Sequence, residues 1–129
     1  MPAYTAGASL LSIAPGDSIQ VWAAEQPVAG SGGASASQQI AAVYAQGIGT
    51  GISFKGFFSA APGAFEIDVQ ASDVDADTQY QTLPNGNITT VDSTNQTFLF
   101  EDANANHKFY RALMRSRANA VNVTANFKR

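Results

Sequence analysis

Apolar and polar residues alternate with a period of two along most of the chain after Gly51. The clearest run spans residues 65–71, where Phe, Ile, Val and Ala alternate with Glu, Asp and Gln. This period is that of a strand with one buried face, and turn-forming residues separate the runs at short intervals. We therefore predict an all-β fold of about eight strands, an antiparallel β-sandwich or jelly-roll-like arrangement with at most one short helix.

Turn signals predict how these strands connect. The strands are expected at residues 18–23, 51–59, 65–71, 79–83, 88–91, 97–101, 109–116 and 120–127. Pro62 and Gly63 suit the central positions of a type II turn, which predicts a hairpin between the second and third of these strands. Asn85-Gly86 predicts another turn, and a last hairpin is expected to join the final two strands.

The first third of the chain lacks this regular alternation. Residues 1–16 are small and polar apart from one Leu-Leu-Ser-Ile stretch, so we interpret them as an extended N-terminal arm. Residues 17–129 are expected to form a single β-sandwich domain, since a chain of this length can bury one core. Within it, residues 29–37 (AGSGGASAS) are a low-complexity loop, and residues 38–46 fit either a helix or a strand.

Composition excludes several functional classes. Charged residues make up 13% of the chain, about half the usual ~25%, and weakly charged surfaces are common where proteins contact each other. The absence of cysteine excludes disulfides, zinc-thiolate sites and thiol catalysis. The first residues lack the basic and apolar stretches of a signal peptide, and no run is long enough to span a membrane, so we predict no membrane partner. We also predict no cofactor.

The charges are divided along the chain. All ten acidic residues lie at or before Asp102, where Lys55 is the only base, and the other six bases follow it. One interpretation is that neighbouring strands pair these charges within one sheet. The other is that an acidic patch and a basic patch meet between subunits of a homo-oligomer. The net charge of −3 and the lack of a dense basic cluster argue against a nucleic-acid partner.

One acidic stretch has the spacing of a cation site. Asp73, Asp75 and Asp77 stand at alternate positions, like the first three ligands of a calcium loop. The pattern then departs from that loop, because its sixth position is Thr78 instead of Gly and its twelfth is Pro84 instead of Glu. The alternative is a solvated acidic turn, so calcium is a weak candidate and no other metal is predicted.

Catalysis is not indicated by any motif. His107 is the single imidazole, and a general base needs a hydrogen-bonded partner and a nucleophile in reach, which the sequence does not signal. We therefore predict a non-enzymatic protein that acts through its surface. The residues predicted to form its interface are Leu10, Leu11 and Ile13 in the arm and three arginines that alternate in phase on one face of the strand beginning at residue 109, namely Arg111, Arg115 and Arg117. Either these arginines bind acidic groups on a neighbour, or their stems cover the edges of that face.

Three aromatic residues are candidates for stacking on sugar rings, provided that one exposed face carries them all. They are Trp22, Phe57 and Tyr80. In the first predicted strand, strict alternation places Trp22 on the face opposite Ile19 and Val21. The competing interpretation is that these aromatics belong to the core or to a protein interface.

Three segments resemble small structural proteins of tailed bacteriophages. They are residues 58–78 (FSAAPGAFEIDVQASDVDADT), 109–117 (FYRALMRSR) and 121–125 (VNVTA), and the resemblance covers about residues 51–129. It points to the β-sandwich modules found as capsid decoration (cement) proteins or other minor virion components. It implies a virion protein, synthesised in the host cytoplasm, that stabilises a phage head by contacting the major capsid protein or other virion subunits.

This resemblance also implies which segments make the contact. The arm and the 29–37 loop are expected to become ordered on the shell, so deleting residues 1–14 should abolish shell binding without unfolding the domain. Two alternatives stay open: a carbohydrate- or receptor-binding sandwich on the virion surface, and a ring component of the tail or neck.

Overall fold

Nine strands make up most of the residues that the computed structural model describes, which are 11–27, 40–45, 51–74, 76–104 and 106–129. The strands are β1 (Leu11–Ile13), β2 (Ser18–Glu25), β3 (Ile40–Ala45), β4 (Ile52–Phe58), β5 (Phe65–Ser72), β6 (Gln81–Ile88), β7 (Thr97–Asp102), β8 (Phe109–Arg117) and β9 (Val123–Lys128). One 3-10 turn, Asp77–Gln79, is the only helical element in these ranges. No helix there is long and apolar enough to cross a membrane. The predicted all-β fold is confirmed.

The strands form two sheets that pack face to face. One sheet has five strands in the order β1-β3-β8-β5-β6, and the other has four in the order β2-β9-β4-β7. The described pairs are antiparallel except β1 with β3, which is parallel. Between the sheets lies an aromatic core, in which the Phe54 ring lies 4.8 Å from that of Phe127 and 5.7 Å from that of Phe98. This arrangement is a β-sandwich.

Both predicted hairpins beside the core are wrong. The chain leaves β4 in one sheet and enters β5 in the other, and it does the same from β8 to β9. The two connections run side by side, with the Ala118 N–H bonded to Ala64 O at 2.8 Å and the Asn119 N–H to Pro62 O at 3.2 Å. Alternation specifies which face of a strand is buried. Because a crossover to the other sheet and a hairpin within one sheet bury the same face, alternation does not distinguish between them.

The Asn85-Gly86 pair does not reverse the chain. Residues on both sides of it belong to β6 and pair with β5, where Gln70 lies opposite Thr82 and Asp68 opposite Asn87. The intervening residues bulge out of the ladder, with Asn85 at a φ of 61°. A Cβ on Gly86 would lie 2.6 Å from Val69 O, so only glycine fits there. Where two strands at 79–83 and 88–91 were predicted, the structure therefore has one bulged edge strand, Gln81–Ile88.

A bulge in β2 reverses the predicted direction of Trp22. Gln20 pairs with Asn126 and Trp22 with Ala125, so Val21 is an extra residue in the ladder. Both Val21 and Trp22 then point inward, with exposures of 2% and 0%. Alternation alone could not reveal this, because one inserted residue shifts every later side chain to the other face.

The N-terminal segments differ from the prediction where the structure describes them. Leu11–Ile13 forms β1 at the edge of the five-stranded sheet, followed by a turn in which the Asp17 N–H bonds to Ala14 O at 2.9 Å. Residues 11–16 are therefore part of the sandwich and not an extended arm. Within the segment 38–46, which the sequence left open between helix and strand, the described residues Ile40–Ala45 form strand β3. Residues 1–10 and the predicted loop at 29–37 lie outside the described part.

Candidate binding surface

The outer face of the five-stranded sheet is covered at its centre, where the side chains of Arg111, Gln70 and Asp68 are buried. Arg111 is 4% exposed, its Nε donates to Gln70 Oε1 at 2.7 Å, and its guanidinium carbon lies 4.1 Å from the centre of the Tyr80 ring. Arg115 Nε donates to Asp68 Oδ2 at 2.6 Å. β8 lies inside the sheet, so these arginines find acceptors on neighbouring β5. The predicted subunit interface at Arg111 is thus a buried contact within the chain.

Arg117 points in a different direction from the other two arginines. A register shift between β5 and β8 leaves Arg115 as the extra residue, after which Arg117 pairs with core-facing Phe65. Cross-strand partners lie on the same face of a sheet. Arg117 therefore faces the other sheet, where its Nη1 donates to Pro27 O at 3.0 Å. The predicted common face of the three arginines is not formed.

Ile13, predicted as part of the apolar interface in the N-terminal arm, belongs to the core instead. Ile13 is fully buried in the core, and its carbonyl oxygen accepts a hydrogen bond of 3.0 Å from Arg129 Nη1. A side chain so enclosed cannot contact another subunit. Leu10 lies outside the described residues, as does the side chain of Leu11.

The acidic stretch contributes one described carboxylate. Asp73 Oδ1 accepts the Lys108 N–H at 3.2 Å and lies 3.6 Å from His107 Nδ1. Asp75 lies outside the described residues, and so does the side chain of Asp77. No group of three potential metal ligands occurs within the described ranges.

His107 and Asp73 share a shallow depression with Ser72, which raises the question of a nucleophile. Ser72 Oγ donates its proton to Val74 O at 2.6 Å and accepts the Val74 N–H at 3.0 Å. A nucleophilic serine needs that proton directed at a base. The hydroxyl of Ser72 instead stabilises the turn after β5.

Among the described residues, nothing covers the outer face of the four-stranded sheet, in contrast to the centre of the other sheet. Its side chains form three rungs that cross the strands, and we call this surface the open face. The rungs are Ser18, Lys128, Ser53 and Glu101; Gln20, Asn126, Lys55 and Leu99; and Thr124, Phe57 and Thr97. Every one of these side chains is exposed or half-exposed. Phe57 and Leu99 are 47% and 53% exposed, which makes them two of the three large exposed apolar residues described.

A depression of about 280 Å³ lies on the open face. It is lined by Ser18, Ser53, Lys55, Gly56, Phe57, Thr97, Thr124, Asn126 and Lys128. Within the described ranges neither lysine has an acidic partner, and Glu101 stands two strands away from Lys128 on the same rung. The open face therefore combines an aromatic ring with unneutralised positive charge.

The three aromatics proposed for sugar stacking are not together. Trp22 is fully buried, with its ring 5.6 Å from that of Phe54 in an edge-to-face contact, and Tyr80 is 7% exposed under Arg111. Only Phe57 reaches the surface. Among the described residues, Trp22 Nε1 is the buried side-chain polar atom without a hydrogen-bond partner.

Sequence reasoning missed Lys55, Leu99, Asn126 and Lys128 as parts of one surface. The signal was present, because these residues occupy the outward phase of strands whose inward phase is aromatic. What the sequence does not contain is the order of the strands, which places β9 beside β4 and β4 beside β7. No protein family, curated protein or solved structure was found to match this chain.

Proposed function

We propose that this protein is a non-catalytic structural subunit that docks on other proteins through the open face, in the role of a virion decoration protein. The observation that carries the proposal is the exposure of Phe57 and Leu99 on neighbouring strands, surrounded by polar side chains. Apolar anchors inside a polar rim are the usual anatomy of a protein interface.

The energetics favour these two side chains as anchors. Burying the exposed half of each contributes on the order of 1 kcal/mol or more. The rim offers hydroxyl and amide groups, which cost less to desolvate than ions, and its charges are few. Both strands that carry the anchors are held in the sheet by backbone ladders, so docking requires little ordering of the binding surface.

The decoration role is supported by the β-sandwich fold together with the resemblance of residues 51–129 to phage structural modules. It predicts that the chain is a stoichiometric component of virus particles. Mass spectrometry of gradient-purified particles from cells that carry the gene tests this, with peptide abundance comparable to that of the main shell protein as the expected result. Absence of the chain from such particles would overturn the role.

The docking surface is tested by a matched pair of substitutions. Leu99→Ser removes an anchor, whereas Val74→Ser removes an equally exposed apolar side chain that lies outside the open face. We expect Leu99→Ser to reduce incorporation into particles about tenfold or more, because about 1–2 kcal/mol of apolar burial is lost, and Val74→Ser to leave it unchanged. Equal incorporation of both variants would contradict docking through this face. A closed ring of the purified chain in light scattering would favour a tail or neck component instead.

A further inference from the structure

We propose that the depression on the open face binds an acidic saccharide, a sugar unit that carries a carboxylate or sulfate. This site goes beyond the docking role, and it uses Lys55 and Lys128, which the docking proposal does not need. Its three components are a positive charge, an aromatic platform and a set of directed polar groups.

The charge comes from two lysines that are diagonal neighbours on β4 and β9. Lys55 on β4 pairs with Asn126 on β9, and Lys128 lies two residues beyond Asn126 on β9. Both side chains are exposed, and no described acid neutralises them, in a chain whose net charge is −3. Two ammonium groups directed from one face at one depression attract an anion, and a sugar carboxylate or sulfate accepts hydrogen bonds from both.

The platform is the ring of Phe57, which lines the depression and is 47% exposed. An aromatic ring of this kind packs against the apolar face of a sugar ring, where the C–H groups of the sugar point toward it. A depression of about 280 Å³ lies just below the usual range for drug-sized ligands, which fits a ligand of one or two sugar units.

The two polar side chains described next each make one hydrogen bond within the chain and keep another donor or acceptor for a ligand. Asn126 Nδ2 donates to Ser18 Oγ at 3.2 Å, which leaves Asn126 Oδ1 as an acceptor. Thr124 Oγ1 accepts the Ala24 N–H at 3.1 Å, which leaves its hydroxyl proton as a donor. Adjacent donors and acceptors match sugar hydroxyls, each of which is both.

An acidic peptide is the competing ligand, and the strand order argues against it. Extended peptides bind by pairing with an exposed sheet edge. The depression lies over β9 and β4, which are inner strands whose backbone groups already pair on both sides. Recognition at this position must therefore come from side chains, and the side chains present suit a hydroxylated ring.

The test is binding of the full chain to an array of uronate-bearing, sialylated, sulfated and neutral glycans, followed by titration calorimetry of the best acidic glycan. A glutamate peptide of equal charge is titrated in parallel. We expect one acidic class to bind at least about tenfold more tightly than its neutral counterpart and than the peptide, with affinity falling as salt is raised. Binding of no acidic glycan at millimolar concentration overturns the site, and equal binding of the peptide assigns the surface to simple charge attraction.

Variants locate the site. Lys55→Gln and Lys128→Gln should each weaken acidic-glycan binding about fivefold, and Phe57→Ser about tenfold. Lys108→Gln is the matched control, since it removes the same charge from an exposed residue outside the four-stranded sheet. Binding lost equally in the control, or retained in all three site variants, overturns the assignment. Because Lys128→Gln leaves both docking anchors in place, loss of saccharide binding and loss of particle incorporation are separable.

Discussion

Arg115 donates a hydrogen bond of 2.6 Å to Asp68 across the β5–β8 ladder, joining a base from the late part of the chain to an acid from the early part. His107 Nδ1, just before β8, lies 3.6 Å from Asp73 Oδ1, just after β5. The contact of Arg115 with Asp68 favours the first interpretation of the divided charges, in which neighbouring strands pair them. The side chain of Asp68 is only 9% exposed, and Asn87 Nδ2 also donates to it at 2.6 Å.

The first prediction concerns this pair. Arg115→Met keeps the side-chain stem but leaves a largely buried carboxylate without its ion partner, so we expect a loss of about 1–2 kcal/mol in the free energy of unfolding. Urea denaturation of Arg115→Met, Asp68→Asn and the double variant measures it. The double variant should lose less than the sum of the single losses, by about 1 kcal/mol. Strict additivity would mean that the contact contributes nothing.

Much of this architecture is readable from the sequence because it depends on local period. The alternation at residues 65–71 correctly predicted a strand with Phe65, Ile67 and Val69 in the core, although the polar side chains of Asp68 and Gln70 on its other face are buried as well. The errors arise where a single inserted residue changes the direction of a side chain, or where a connection leads to the other sheet. The period of the sequence encodes neither of these. Val21 as a bulge residue turned Trp22 inward, and the crossovers next to Phe58 and Arg117 replaced predicted hairpins.

The interface prediction at Arg111 was wrong for a related reason. Arginines at alternate positions are equally consistent with a contact surface and with a ladder of internal acceptors. Only the placement of β5 beside β8 shows that Gln70 and Asp68 are those acceptors. The open face was missed because its rungs come from strands far apart in sequence, with Ser18 beside Lys128.

The second prediction concerns Gly56, which lies where β4 crosses the core. A Cβ at this position would meet Thr124 O at 2.3 Å and the tip of the Phe98 ring at 2.7 Å. The Thr124 oxygen belongs to the backbone and cannot move without displacing its strand. We therefore expect Gly56→Ala to lower the free energy of unfolding by about 3 kcal/mol. Chemical denaturation measures the loss.

Gly16 supplies the control for that substitution. It has a φ of 90° with nothing within 4 Å of an added Cβ, so Gly16→Ala carries the backbone cost alone, about 1–2 kcal/mol. If Gly56→Ala is no more costly than Gly16→Ala, the close packing of β4 against β9 and Phe98 is not rigid.

The third prediction is a pH dependence at Tyr110. Burial raises the pKa of its hydroxyl above the ordinary value of 10.0, against a smaller lowering by the His107 N–H that donates to it at 2.7 Å. Above pH 10 the unfolded chain loses this proton while the folded chain keeps it. Stability is therefore complete below pH 10 and falls as pH rises toward the folded-state pKa, by up to about 1.4 kcal/mol per pH unit.

Tyr110→Phe isolates this contribution from the other titrating groups. The variant loses the acceptor for His107 and should be less stable at neutral pH, yet its stability should fall less steeply above pH 10. Urea midpoints across pH 9–11 measure the two slopes. Parallel slopes for the two proteins would contradict the role of Tyr110.

The last prediction concerns the first strand. Deleting residues 1–13 removes Ile13 from the core and the carbonyl that Arg129 binds, so we expect a loss of about 2–4 kcal/mol or failure to fold. Deleting residues 1–10 leaves every described contact of β1 in place and should cost far less. Thermal denaturation of the two truncations compares them directly. An unchanged stability after the longer deletion would restore the interpretation of the whole segment as a free arm, and with it the expectation that its removal affects only shell binding.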